Sequence, residues 1–168
     1  MKKAKDLDYR ILLELMKNSR LSDRKLAKIL DVSQPTVTRR RAMLEKVLID
    51  GYTVIPKWEE LGYEIFAITL FKIKAAIASK EKYGTTRNKG MQWLMSQPNV
   101  IMGGSCRGIG MDAFNLSFHK SYSDYDDWMR NMRLEMAEFI DDIQSVLVNL
   151  AGKEILKPLG IKYLAEAK

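Results

Sequence analysis

The period of hydrophobicity changes along this chain, and the change limits the folds open to it. Between Leu7 and Leu44 apolar residues recur at helical spacing; beyond Tyr63 come β-favouring runs that alternate in part, broken by two helical stretches. No single all-α or all-β layer accommodates both halves, so the chain is expected to be α+β. At 168 residues, with 46% hydrophobic content, it is long enough for one ordinary domain or two small ones with a buried core.

The first third predicts three helices. In "KDLDYRILLELMKN" Leu7, Ile11, Leu12, Leu15 and Met16 share a face, with Asp6 placed to cap the start. Ser22 opens a shorter helix, "SDRKLAKIL", whose Leu26, Ile29 and Leu30 point one way and which ends at the Asp31-Val32 junction. Ser33 caps a third helix from about residue 34 to 46, where Pro35 is tolerated in the first turn and Val37 and Leu44 lie inward. "VLIDGYTVIP" then reads as a short strand or two-stranded wing stopped by Pro56, and "KWEELGYE" as a hinge. The expected division is 1–56 for a winged helix-turn-helix, 57–62 for the hinge and 63–168 for a second domain.

Charge points the same way. Residues 1–57 hold 14 Lys/Arg against 7 Asp/Glu, while residues 58–168 hold 14 of each, so the whole net charge of +7 lies in the first third. Such asymmetry suits a polyanionic partner at one end of the molecule. Two short helices joined by a tight turn, the second rich in Ser, Gln and Thr and then Arg, meet the needs of a helix that reads double-stranded DNA. Gln34, Thr36 and Thr38 carry short groups suited to base edges, and Arg39 and Arg40 can reach a guanine or a phosphate. At about 100° per residue Arg39, Arg40 and Arg41 cannot face one way; one is expected to read or anchor DNA, one to grip the flanking backbone, one to lie over the domain surface. Ser22, Lys25 and Ser33 complete the expected DNA-contacting set.

These residues resemble the N-terminal half of the Lrp/AsnC (feast/famine) transcriptional regulators. The match runs through Asp8, Ile11-Leu12, Asn18-x-Arg20-x-Ser22, Leu26-Ala27, Val32-Ser33, Thr36-Val37, Arg39-Arg40, Leu44-Glu45, Ile49, Gly51-Tyr52 and Leu61-Gly62-Tyr63. Two departures stand out: Arg41 replaces the family's usual hydrophobic residue, and "EKVLIDGY" is one residue shorter than usual before the wing.

The second two-thirds predicts the order βαββαβ and hence a ferredoxin-like sandwich. "YEIFAITLFKI" is a strand; a helix is expected at about 87–97 within a long polar stretch; "NVIMGGSC" and "DAFNLSFHK" pair through "RGIGM", with Phe114, Leu116 and Phe118 on one face and Ala113, Asn115 and Ser117 on the other. "SDYDDWMRNMRLEMAEFI" is an amphipathic helix expected to be capped by Ser123, and "IQSVLVNLAGKEIL" a last strand. This is also the fold that the family resemblance implies for a domain that binds an effector and oligomerises. By that resemblance the sheets of two subunits pair into a homodimer, octamers form from dimers, and a small molecule such as an amino acid binds where dimers meet. Gly108, Gly110 and Asp112, in "GIGMDAF", carry over towards that site; a tight hairpin with an Asx-type turn explains them equally well.

Other functions find less support. The longest apolar runs, "IFAITLF" and "IQSVLVNLA", fall far short of the roughly 20 residues a spanning helix needs, and no signal peptide is evident, so no membrane partner and a cytoplasmic location are expected. Cys106 and His119 each stand alone, which leaves no metal set and implies no cofactor. Sirohaem decarboxylases resemble the family in both domains, but their pocket uses histidine and arginine about the second and third strands, where this chain offers Arg107, with His119 at the far end of the next strand. No carboxylate pair or nucleophile with a base appears, so an enzyme is not expected. A DNA-coating protein remains as a variant that differs only in specificity.

Overall fold

Helix α1 spans Lys2–Lys17, α2 Asp23–Leu30 and α3 Gln34–Val47, in a computed structural model that describes residues 2–77, 80–152 and 155–166. Their inner faces meet in one core of Ile11, Leu15, Leu26, Ala27, Leu30, Val37 and Leu44, with Leu7, Leu21, Val32 and Ile49 packed against it. Ser22 caps α2 as expected, its hydroxyl accepting from the Lys25 N–H. Two local expectations fail. Asp6 does not cap α1, because the helix already begins at Lys2, and Ile29 is half exposed because Leu26, Ala27 and Leu30 fill the inner face of so short a helix.

The expected wing is also corrected. Residues 49–57 form no strand, and the sheet of the structure contains no element from this region. A lone β-favouring run has no neighbour to take its backbone hydrogen bonds, and Val54 stands 83% exposed. The segment from Lys157, including the short α6 (Lys162–Glu166), groups with the three helices and packs on α1. The division expected at residue 62 had placed that segment in the second unit.

The second unit runs from Pro56 to Leu156. It contains β1 (Ile65–Ile73), α4 (Lys80–Ser96), β2 (Val100–Gly108), β3 (Met111–His119), α5 (Tyr122–Glu135) and β4 (Ile140–Asn149). The strands form one antiparallel sheet in the order β2-β3-β1-β4, the order of the expected βαββαβ sandwich. Helix α4 is longer than the sequence suggested, and β4 starts and ends earlier. Helix α5 is capped by Ser121, not Ser123: the Ser121 hydroxyl accepts from the Asp124 N–H while the Asp124 carboxylate accepts from the Lys120 N–H. That reciprocal arrangement fixes the start one residue after Ser121.

Both faces of this sheet carry apolar residues, and the covered one also buries polar groups. Under the helices, Ala67 and Phe71 meet Tyr125, Met129 and Met132, yet the same side buries Thr69, Asn115, Ser117 and His119. Ser145 Oγ donates to Thr69 Oγ1 at 3.1 Å, and Ser117 Oγ lies 2.9 Å from His119 Nε2. The other side pairs Phe66 with Phe118, Ile68 with Leu116 and Leu70 with Phe114 across β1 and β3. Trp58 stacks on Phe118 with ring centroids 3.9 Å apart, but Met102 and Val146 remain more than half exposed. Gly103 is required by packing, since a Cβ there would stand 2.6 Å from Leu94 Cδ2 and 3.1 Å from the Phe114 carbonyl oxygen.

Candidate nucleic-acid interface

The turn between α2 and α3 is short because Asp31 takes a left-handed conformation, φ +54°, that few residues besides glycine, Asn and Asp adopt readily. Its N–H and that of Val32 both return to the Ala27 carbonyl, so the chain reverses within three residues. Ser33 occupies the N-cap position of α3, but its hydroxyl turns to the Thr36 hydroxyl, 2.8 Å away, and caps no backbone N–H.

With Val37 and Leu44 buried, Gln34, Pro35, Thr38, Arg39, Ala42 and Lys46 are left exposed along α3. The three arginines have separate fates. Arg40 reaches back to α1, its Nη1 donating to Asp8 Oδ1 at 2.8 Å. Arg41 crosses to α2 and the following arm: Nη1 donates to the Leu21 carbonyl at 3.0 Å and to Asp23 Oδ1 at 3.2 Å, and Nε lies 3.1 Å from Glu45 Oε1 and 3.2 Å from the Tyr52 hydroxyl. Its guanidinium also sits 5.2 Å from the centre of the Tyr52 ring. Arg39 makes no such contact among the described residues and is exposed.

Two of three arginines are thus engaged inside the domain, where the sequence had expected one. Thr38 is likewise occupied, donating to Asp23 Oδ2 at 2.7 Å. Asp23 therefore receives Thr38 and Arg41 together and locks α2 to α3. Gln34, Lys25 and Arg39 remain as exposed members of the expected set; Ser22, Ser33 and Thr36 are tied into caps and hydroxyl contacts. Arg24 and Lys28 on α2, and Lys46 on α3, are further exposed cations that sequence reasoning passed over. The spacing of Lys46, seven residues after Arg39 and hence on the same helical face, was the available signal.

In the second unit, Gly108, Ile109 and Gly110 take φ of +137°, +45° and +77°, forming the tight connection of β2 to β3. Asp112 Oδ2 accepts from the Ile73 N–H at 2.8 Å, tying the start of β3 to the end of β1. The tight hairpin expected here is present, while Asp112 ties across to β1 rather than within an Asx-type turn. No group of three or more metal-ligating side chains occurs among the described residues, and none of their helices is long and apolar enough to cross a membrane.

The AsnC-type helix-turn-helix domain model matches residues 6–45, the span of these helices. Residues 6–45 thus carry an AsnC-type helix-turn-helix domain. An HTH-type transcriptional regulator of Pyrococcus furiosus is 47% identical over 64 residues, covering 38% of this chain and 43% of that protein. LrpC of Bacillus subtilis, also named an HTH-type transcriptional regulator, is 29% identical over 120 residues, covering 68% of this chain and 77% of LrpC. The match spans about half the length of the Pyrococcus relatives, 43% and 51% for two from P. furiosus. The fold extends further than the sequence match. The structure of Escherichia coli AsnC superposes with a TM-score of 0.71 at 21% identity, covering 92% of this chain and 96% of AsnC. A transcriptional regulator from Neisseria meningitidis, solved as a complex with L-Met, gives 0.76 at 21% identity, covering 94% and 97%.

Proposed function

We propose that this protein is a sequence-specific, DNA-binding transcriptional regulator of the Lrp/AsnC family acting as a homodimer in the cytoplasm, with no catalytic role. The observation that carries the reading is the free outer face of α3. Gln34 and Arg39 stand exposed at the start of the second helix of an AsnC-type helix-turn-helix, while Arg40 and Arg41 hold that helix against α1 and α2. A rigidly seated recognition helix loses little freedom on entering the major groove. Arg39 is assigned to a guanine or a phosphate, Gln34 to a base edge, and Lys25 and Lys46 to flanking phosphates. The apolar open side of the sheet supports a second copy packing there, and two recognition helices then address half-sites about one helical turn or a multiple apart.

The L-Met complex of the Neisseria relative supports a small-molecule effector such as an amino acid, with Gly108, Gly110 and Asp112 assigned to the turn near it and octamers as a higher assembly. The test is binding to a duplex from the protein's own upstream region against a scrambled duplex, at two salt concentrations. Wild type is expected to prefer the native duplex, and Arg39→Ala to lose most of that preference, about 1–3 kcal/mol, if Arg39 reads a base. Equal, steeply salt-dependent binding to both duplexes would replace the regulator by a coating protein.

A further inference from the structure

Between α4 and the helix-facing side of the sheet lies a cavity of about 330 Å³. That is near the lower end of the roughly 300–1,000 Å³ of small-molecule pockets. Its wall is mostly carbon, from Phe71, Met91, Leu94, Met132, Met136 and Phe139. A glycine helps leave it open: a Cβ added at Gly90 would meet nothing nearer than Met136 Cε at 3.9 Å.

The polar features of this wall are few and of one kind. Arg87 lines it and makes no hydrogen bond or ion pair among the described residues. Trp93 also lines it, and its buried indole N–H has no acceptor there, although a buried tryptophan N–H usually finds one. Ser105 adds a hydroxyl, and no Asp or Glu stands among the described lining residues. The cavity therefore offers one fixed positive charge and an unmet donor in apolar surroundings, with no anion. An apolar molecule bearing a carboxylate complements it. A free amino acid does so poorly, because its ammonium group would be desolvated without a carboxylate to receive it. Gly108, Gly110 and Asp112 do not line this cavity.

We propose that this cavity binds a small apolar carboxylic acid lacking an amino group, its carboxylate held by Arg87 and the Trp93 N–H and its body by the Phe and Met side chains. The site is distinct from the β2–β3 turn and does not depend on DNA binding.

Titration calorimetry on the 168-residue chain, without DNA, tests it with 3-phenylpropionate and 4-methylpentanoate as probes. Two matched controls are 3-phenylpropanamide, which lacks the charge, and L-phenylalanine, which adds the ammonium. At least one acid is expected to bind, with both controls weaker by about tenfold or more. Arg87→Gln, at an exposed position, is expected to weaken the acid by a similar factor with its urea midpoint unchanged, and Gly90→Leu to abolish binding by filling the space. If Gly90→Leu fails to fold, the amide comparison and Arg87→Gln still decide. The proposal is overturned if neither acid binds folded wild type at millimolar concentration, if the amide binds as tightly as the acid, or if Arg87→Gln leaves the affinity unchanged. Each of these leaves the DNA-binding reading standing, since no DNA enters the measurement.

Discussion

Replacing Arg41 by Met should destabilise the helix-turn-helix while the same change at Arg39 should not, although the residues are two apart in an arginine triplet. Arg41 has four anchors of unequal worth, of which the exposed Tyr52 hydroxyl at 3.2 Å adds little. The bond to the Leu21 carbonyl is partly buried, and a hydrogen bond involving a charged group contributes about 1.5–3 kcal/mol when well shielded, less here because the side chain keeps 20% of its exposure. The pair with Asp23 is similarly half-shielded and contributes at most about 1 kcal/mol. Glu45 is 42% exposed, so its i,i+4 pair counts for only about 0.3–0.5 kcal/mol. Taken together, and allowing for the apolar stem that Met retains, the loss is about 2 kcal/mol. In urea that displaces the midpoint by about 1 M for a slope near 2 kcal/mol/M. Far-UV circular dichroism should register it. Trp58, Trp93 and Trp128 all belong to the second unit, so the fluorescence transition should stay in place. The reasoning is refuted if Arg39→Met shifts the dichroism transition as far as Arg41→Met does, or if Arg41→Met shifts it by less than about 0.5 kcal/mol.

Neighbouring glycines in β2 should respond oppositely to alanine. Gly103→Ala forces Leu94 aside from 2.6 Å and should cost about 1–3 kcal/mol in denaturant titration, whereas Gly104→Ala meets only ordinary contact at 3.8 Å and should be neutral or slightly stabilising. A pH effect should arise from His119. Burial pulls its imidazole below the ordinary value, with Asp124 at 3.8 Å opposing weakly. The unfolded chain therefore binds a proton first, so the His119 contribution is full above about pH 6.5 and is lost as the pH falls from there towards the folded value. Urea midpoints between about pH 7 and pH 5.5 should fall further for wild type than for His119→Gln; parallel curves would remove His119 from the account.

Much of the fold is legible in local sequence because its causes are local. The core positions Ile11, Leu15, Leu26, Val37 and Leu44 follow from helical spacing, and Ser22 caps α2 because a hydroxyl before a helix meets a free N–H three residues on. The alternation in β3 likewise gives its two faces correctly. What alternation cannot give is which face the helices cover. Here they cover the side with Asn115, Ser117 and His119, where Ser117 and His119 meet each other but the buried Asn115 amide finds no partner among the described residues, while an apolar side is left open.

The wing and the arginines mark the same boundary. "YTVI" has the residue types of a strand, but a strand exists only where a neighbour takes its hydrogen bonds, and none of the described residues does so. The distribution of charge along the chain and the order and spacing of residues in its first third already carried the charge asymmetry and the family resemblance, and the helical angle already forbade three arginines from sharing one direction. The assignment of each arginine needed the tertiary structure. Asp8 lies 32 residues from Arg40 and Asp23 lies 18 from Arg41; only when α1 and α2 pack on α3 do those carboxylates come within bonding distance, which engages two cations and leaves Arg39 outward.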